Sequence, residues 1–377
     1  MGFPREPGAQ HPGGPHRRRT PGMPGPAGGR RPVRPGRALH RSESLTVHRQ
    51  LSRSRAVLTG AALALAVSLA GCGSPEKAKK TPAPAAAPSA AQSAPAERKV
   101  QMPTGPAPAM TKVRDTAAGP VFMTRLAGPK SGVTGQVWVW LPPEYNDPKY
   151  ARTGFPVLTL YAGGQSNGYN TWAGGQLPVQ EEDARLVKEG KAHPFIMIMP
   201  VQNFTADEKN ALDCSDIPGQ PKMGTWMAQD IPDWVRANFR TLKGRDGWGV
   251  MGASTGGFCS AKLALQHPDV YKAAVPIDGY FVPDSLLWRG HSAEKAANDP
   301  DQLVTQGKAD VRVLVTAGGA DPYEKGVVKG WVAKAVPPVS VEYYEQPGGK
   351  HLTSDFKKMI PDVLQWLTRN LAGPAAD

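Results

Sequence analysis

The sequence predicts an α/β protein: a mostly parallel central sheet with helices on both faces. Two observations carry that expectation. From about residue 113 onward, short apolar runs alternate with segments of helical character, the rhythm of strand–helix–strand units. The middle runs are continuously apolar rather than alternating, as strands buried on both faces must be.

The elements follow in order. Gln136–Leu141 (QVWVWL) alternates like a strand and is stopped by Pro142-Pro143. Phe155–Leu160 (FPVLTL) reads as a buried strand running into Ala162-Gly163-Gly164, and residues 178–189 as a helix. Phe195–Met199 (FIMIM) is a second buried strand. Residues 225–239 read as helix with Pro232 near its first turns, where a missing N–H is tolerated. Trp248–Met251 is a short strand, and 256–266 a helix. Ala273–Ile277, Val311–Thr316 and Val339–Tyr344 are further strands, with a helix after the second of these, and Asp355–Leu371 a closing amphipathic helix. Residues 282–308 break the rhythm and are expected to form a cap insertion, in which Leu287 and Trp288 either contact substrate or pack the insertion down.

The chain has 377 residues and a net charge of +13, which would suit a nucleic-acid partner if the charge lay on the fold. It does not. Residues 1–55 hold 12 Arg and no Lys against Glu6 and Glu43, which is +10 of the total, and 72–377 carry only +3. Nucleic acid is therefore excluded as a partner. Arg49, Arg53 and Arg55 precede an uncharged stretch, Ala56 to Gly71, shorter than the roughly 20 residues a bilayer span needs. It reads as the apolar core of a signal peptide. Its end, Leu69-Ala70-Gly71-Cys72, resembles the bacterial lipobox, which implies lipidation of Cys72 and a membrane anchor on the outer face. The segment before Arg49 is long for a signal peptide, and a start at Val47 would give a more ordinary one. The expected organisation is thus an N-terminal extension with signal peptide over 1–71, a Pro/Ala-rich tether over 72–112 and a catalytic domain over 113–377.

Gly252-Ala253-Ser254-Thr255-Gly256 fits G-x-S-x-G, with a strand before it and a helix after it. That context makes it a nucleophile elbow, a tight turn that exposes the serine hydroxyl. A serine hydroxyl needs a base. Of eight histidines four lie within residues 1–48, and His193, His267 and His291 sit at the wrong end of a strand, at a helix end or in the insertion. His351 follows the last strand and reaches the same sheet edge as Ser254, so it is the expected base. A carboxylate must orient it. Asp321 is the first candidate, with Glu324 its rival and Asp278 a weaker third; Asp321 also fits a helix N-cap before Pro322. The developing oxyanion needs two donors, expected to be the amides of Thr255 and of Gly164, with Gly163 and Gln165 as substitutes. No cofactor is expected, and the scattered histidines show no metal-ligand spacing.

The elbow and its flanks (WGVMGASTGGFCSAKLALQHPDVYKAAVPIDGYF), the LYAGG loop with Trp172 downstream, and GGKHLTSDF near the end resemble the esterase D and mycolyltransferase-like group over about residues 120–372. That resemblance implies the α/β-hydrolase fold, a serine esterase or acyltransferase activity, and the triad Ser254, Asp321, His351 with the amide of Thr255. The trehalose-binding Asp and Arg of mycolyltransferases fall on Ala162 and Gln165 here, and Gly256-Gly257 looks like the esterase branch. Hydrolysis of a carboxylic ester is therefore favoured over acyl transfer to a sugar or lipid. A non-catalytic binding lipoprotein is the third reading, disfavoured because serine, histidine and acid are all present. The remaining cysteines, Cys214 and Cys259, form an even pair in a chain expected to be exported, which predicts a disulfide.

Overall fold

The computed structural model describes residues 99–164 and 166–376. Cys72, the apolar segment before it and residues 73–98 of the tether lie outside the described residues, as does Gln165. No helix among the described residues is long and apolar enough to cross a membrane.

Nine strands form the main sheet: β1 (Thr111–Thr116), β2 (Gly119–Ala127), β3 (Thr134–Trp140), β4 (Val157–Tyr161), β5 (Ile196–Pro200), β6 (Trp248–Ala253), β7 (Ala273–Ile277), β8 (Arg312–Gly318) and β9 (Ser340–Gln346). Their order across the sheet is β9-β8-β7-β6-β4-β5-β3-β2-β1. The six strands from β9 to β5 run parallel, and β3, β2 and β1 add antiparallel. Every residue of β4, β5, β6 and β7 is buried, whereas the edge strand β9 is only half-buried, which is why β9 carries Glu and Tyr where the middle strands carry Val, Ile and Met. The helices that matter are α1 (Val179–Lys188), α2 (Ile231–Asn238), α3 (Thr255–Gln266), α4 (Pro322–Val332) and α5 (Thr353–Asn370).

Three expectations are corrected. The fold begins earlier than residue 113: Val100 and Gln101 pair with Leu242 and Thr241, and the amides of Thr104 and Gly105 donate to Ala237 O. A Pro-rich stretch can still contribute one rung to a sheet edge, and composition does not show where that rung is. The expected 225–239 helix is three pieces: Met223–Thr225, a π-helical turn over Trp226–Asp230, and α2. Pro232 lies at the start of α2, where its missing N–H falls among the amides the π turn has already displaced. Finally, no residue of 282–308 lines the cavity at Ser254. Trp288 is buried and its Nε1–H donates to Asp213 Oδ2 at 2.7 Å, so it packs the insertion onto the domain.

Candidate active site

Ser254 stands between β6 and α3 with φ 55° and ψ −118°. A left-handed φ is unfavourable for a residue with a Cβ, so the surroundings must impose it. They do so by close packing. A Cβ on Gly252 would collide with the carbonyl of Gly256, and a Cβ on Gly256 with that of Tyr161. A Cβ on Gly257 would come within 2.8 Å of Gly279 Cα. The turn is further pinned by Ser254 N–H donating to Ile277 O at 2.9 Å.

His351 arrives from the loop after β9. That loop is laced to the one after β8: Gly319 N donates to Gln346 O and Ala320 N to Gly349 O, both at 2.8 Å. The ring stands edge-on to Phe356 of α5, centroids 5.2 Å apart. Its Nε2 lies 2.9 Å from Ser254 Oγ, the hydrogen-bond distance a general base needs.

The carboxylate behind the ring is Asp278, not Asp321. Asp278 Oδ2 lies 3.1 Å from His351 Nδ1, and Asp278 is fully buried at the end of β7. Its own φ is 47°, a conformation aspartate tolerates better than most residues. Its N–H donates to Thr316 O at 3.1 Å, and its Oδ1 accepts from Gly318 N at 3.3 Å. The expected acid, Asp321, instead caps α4, with Oδ1 accepting from the amides of Tyr323 and Glu324 at 3.1 Å each. Its carboxylate is spent on the two amides a helix start leaves unpaired. Glu324, in the first turn of α4, brings Oε1 to 3.8 Å from His351 Nδ1. The signal that could have raised Asp278 is its place: the carboxyl end of a wholly buried strand adjacent to the nucleophile strand.

The electrostatics follow the geometry. His351 is held above its ordinary value, chiefly by its close pairing with Asp278, with burial opposing and Glu324 and Asp321 adding. Burial pushes the Glu324 carboxyl up, and the facing His351 pulls it back. Asp278, Glu324 and His351 offer ligand atoms within 4.8 Å of one another. A cation there would take Nδ1 and leave Nε2 carrying the proton, which would remove the base facing Ser254. The triangle suits a histidine and its acids.

A cavity of about 220 Å³ opens on Ser254 and His351, walled by Gly163, Gly164, Thr171, Leu177 and Phe356. Gly164 has φ +66°, and a Cβ on Gly163 would sit 3.5 Å from Ser254 Cβ, so this loop passes directly beside Ser254. Thr255 opens α3, so its amide is among the N–H groups a helix start leaves free. Larger cavities of about 520 and 700 Å³ lie elsewhere, against Lys262 and His267 and beside Lys99 and Gly373, and neither includes Ser254.

Cys214 and Cys259 are joined in a disulfide with Cα atoms 5.7 Å apart. The bond ties the loop around Asp213 to α3, five residues beyond Ser254. Lys262, one turn further along, is fully buried and donates to Cys214 O and Ser215 Oγ, both at 2.6 Å, and to Asn298 Oδ1 at 3.1 Å. Burial pushes its ammonium down to about 7.

Similarity to known proteins is consistent with this geometry. The chain is 24% identical over 206 residues to an uncharacterized protein of Corynebacterium glutamicum, a match covering 51% of this chain and 46% of that protein. It is 35% identical over 72 residues to the MPT51 antigen of Mycobacterium leprae, covering 19% of this chain and 23% of the antigen. The chain thus spans less than half the length of either relative. Among solved structures, a ferulic acid esterase superposes with a TM-score of 0.55 at 20% identity, covering 67% of this chain and 98% of that one. An S-formylglutathione hydrolase from Agrobacterium tumefaciens gives 0.55 at 17% identity, covering 70% and 99%. These superpositions establish the α/β-hydrolase fold. The sequence profile of the family described as "Putative esterase" matches residues 132–360, more than half of the chain, and the chain belongs to that esterase family.

Proposed function

We propose that the protein is a serine hydrolase that cleaves a carboxylic ester through an acyl-enzyme on Ser254. One observation carries this reading: Ser254, strained at the tip of its elbow, lies 2.9 Å from the Nε2 of a histidine backed by a buried carboxylate. In the proposed cycle Ser254 Oγ attacks the ester carbonyl and its proton passes to His351 Nε2. Asp278 holds the ring in the tautomer that leaves Nε2 free and stabilises the imidazolium. The amides of Thr255 and Gly164 receive the oxyanion. Collapse expels the alcohol, which takes the proton from His351. Water, deprotonated by the same nitrogen, then attacks the acyl-serine and releases the acid.

The test is labelling of the full chain with a fluorophosphonate, beside Ser254→Ala, with the adduct mapped by mass spectrometry. A single adduct on Ser254 that is absent from the variant is expected; a folded, unlabelled wild type would sink the mechanism. Hydrolysis of a short p-nitrophenyl ester, with and without an added alcohol, then separates water from an alcohol as the acyl acceptor.

The reading extends to location. The Arg-flanked apolar stretch, the Leu69-Ala70-Gly71-Cys72 sequence and the disulfide support export and anchoring through lipidated Cys72, with residues 73–98 as the tether.

A further inference from the structure

Apolar side chains left in water are normally scattered singly over a folded protein, and here they are gathered. Seven large ones stand well exposed among the described residues, and six of them lie in loops at a single edge of the sheet. Tyr169 follows the carboxyl end of β4, Phe204 that of β5, Val282 and Leu286 that of β7, Tyr323 that of β8 and Leu352 that of β9. The remaining parallel strand, β6, is followed by Ser254 itself. We propose that these six side chains form a docking rim that seats the mouth of the site on an uncharged or zwitterionic lipid surface, from which Ser254 takes its ester. The inference rests on the serine-hydrolase reading and adds to it the surface on which the enzyme works.

The rim is joined to the site loop by loop. The Tyr169 hydroxyl lies 3.7 Å from the point a Cβ on Gly164 would occupy, against the loop that borders Ser254. Asn203 N–H donates to Ser166 O at 3.3 Å, which ties the Phe204 loop to the Tyr169 loop. Ser285 N–H donates to Asp213 Oδ2 at 3.2 Å, which fixes the Leu286 turn to the loop that the disulfide ties to α3. Leu352 is next in the chain to His351, and Tyr323 to Glu324, whose Oε1 lies 3.8 Å from His351 Nδ1.

Folding gives no reason for these residue types. Leu352 is 52% exposed at the N-cap of α5 and makes no side-chain cap, a position where Ser, Thr, Asp or Asn would bond a free amide. Tyr323 is 76% exposed in the first turn of α4, where an acidic side chain would suit the helix start better. Two helix starts thus forgo stability for apolar surface in water, the mark of a contact made elsewhere.

The form and charge of the rim decide what covers it. Its tips rise from five loops around an opening. A rigid partner, a second copy included, would have to match five separate projections and would close the mouth against substrate. A lipid surface is fluid, fills the gaps between the tips and leaves an ester in front of Ser254. The rim loops (167–176, 203–210, 280–291, 319–325 and 347–354) hold four Lys or Arg against five Asp or Glu, so no strong field draws the mouth to a polyanion or an anionic leaflet. Leu177 and Phe356 continue the apolar character into the cavity. The expected lipid on Cys72 is separated from the first described residue by 26 residues, 73–98, a length that spans at most about 90 Å. A weak rim then suffices, because such a tether holds the domain at high local concentration over the surface.

The experiment mixes the full chain with phosphatidylcholine vesicles carrying a diazirine acyl chain and maps the photo-crosslinked peptides by mass spectrometry, for wild type and for F204S/L286S/Y323S. Hydrolysis of dissolved p-nitrophenyl acetate and of p-nitrophenyl palmitate held in the same vesicles is measured beside it. Crosslinks on the peptides bearing Leu286, Tyr323 and Leu352 are expected in the wild type, apart from any around Cys72, and should fall about tenfold in the variant. The variant should slow the vesicle-held ester about tenfold and the dissolved ester less than about twofold, since only access to the surface is removed. Tyr323→Trp should keep the wild-type ratio of the two rates. Should the triple variant not fold, Tyr323→Ser and the wild-type crosslink map decide. Crosslinks confined to the surroundings of Cys72, crosslinking that vanishes at high salt, or equal slowing of both esters overturns the proposal. A wild-type dimer that the variant dissociates, seen by sedimentation, overturns it too and makes the rim a contact between two copies. A wild type that crosslinks through its rim yet takes up no fluorophosphonate would sustain the docking surface and refute the hydrolase reading, which keeps the two failures apart.

Discussion

At the scale of single residues, the site depends on a few positions where one atom more or less changes the outcome. Gly252 and Gly256 have no room for a Cβ because two backbone carbonyls occupy the space, and that crowding holds Ser254 in its unfavourable φ. Asp321 and Asp278 carry the same side chain and do different things: one accepts from helix amides, the other stands behind a histidine. Asp321→Ala should therefore cost about 1 kcal/mol of stability, the usual worth of an N-cap, and leave the labelling rate of Ser254 within about threefold, the small remainder reflecting looser placement of Glu324. Asp278→Asn should do the reverse, slowing labelling at least tenfold with a small change in melting temperature. Thermal melts beside labelling rates decide it; a hundredfold slower Asp321→Ala would return the acid's role to Asp321.

At the scale of elements, α3 joins the catalytic turn to the body of the domain. Its first residue follows Ser254, its fifth is the disulfide Cys259, and its eighth is the buried Lys262. The loop it holds is unusual: Asp213 and Cys214 both have left-handed φ, 48° and 51°, with no glycine between them. Such a loop needs tertiary restraint, here supplied by the disulfide, by Lys262 bonding Cys214 O, and by Trp288 and Ser285 N–H bonding Asp213 Oδ2. Burial pushes the Asp213 carboxyl up to about 6. Replacing both cysteines by serine closes no loop in the unfolded chain and should cost about 2–4 kcal/mol. Urea unfolding with and without reductant measures this. Because the disulfide lies off the reaction path, labelling of the still-folded fraction should persist; unchanged stability would show that the lysine and tryptophan contacts hold the loop unaided.

At the scale of the whole molecule, the parallel strands β4, β6, β7, β8 and β9 deliver Gly164, Ser254, Asp278, Glu324 and His351 to one edge of the sheet. The described chain enters at the other edge, where Val100 pairs with Leu242, beside the starts of β4 and β6. Cys72→Ser should shift the protein from the membrane fraction to the medium and abolish incorporation of labelled palmitate, with labelling of Ser254 unaffected. Membrane retention without palmitate incorporation would instead make Ala56–Gly71 an uncleaved apolar anchor.

Much of this was legible in the residues themselves. The elbow can be read because G-x-S-x-G between a strand and a helix is a local pattern, and the local clash of Cβ against carbonyl is what enforces it. His351 can be read because it alone among the histidines follows the last parallel strand. The buried strands β4 to β7 can be read because burial on both faces leaves no polar alternation. The antiparallel strands β1 and β2 were missed, since half-exposed runs such as TKVRDT carry little apolar signal. The carboxylate that faces His351 was misread for a different reason. Asp278, Asp321 and Glu324 all follow carboxyl ends of strands, and each is compatible with the chain order Ser, acid, His. Which of them meets Nδ1 depends on how the loops after β7, β8 and β9 are tied together, by contacts between residues tens of positions apart. The sequence alone determined the fold class and singled out Ser254 and His351 as the candidate pair, because these rest on local sterics and periodicity. Only the tertiary structure decided which carboxylates face His351 and that Trp288 is buried, because these rest on where distant loops converge.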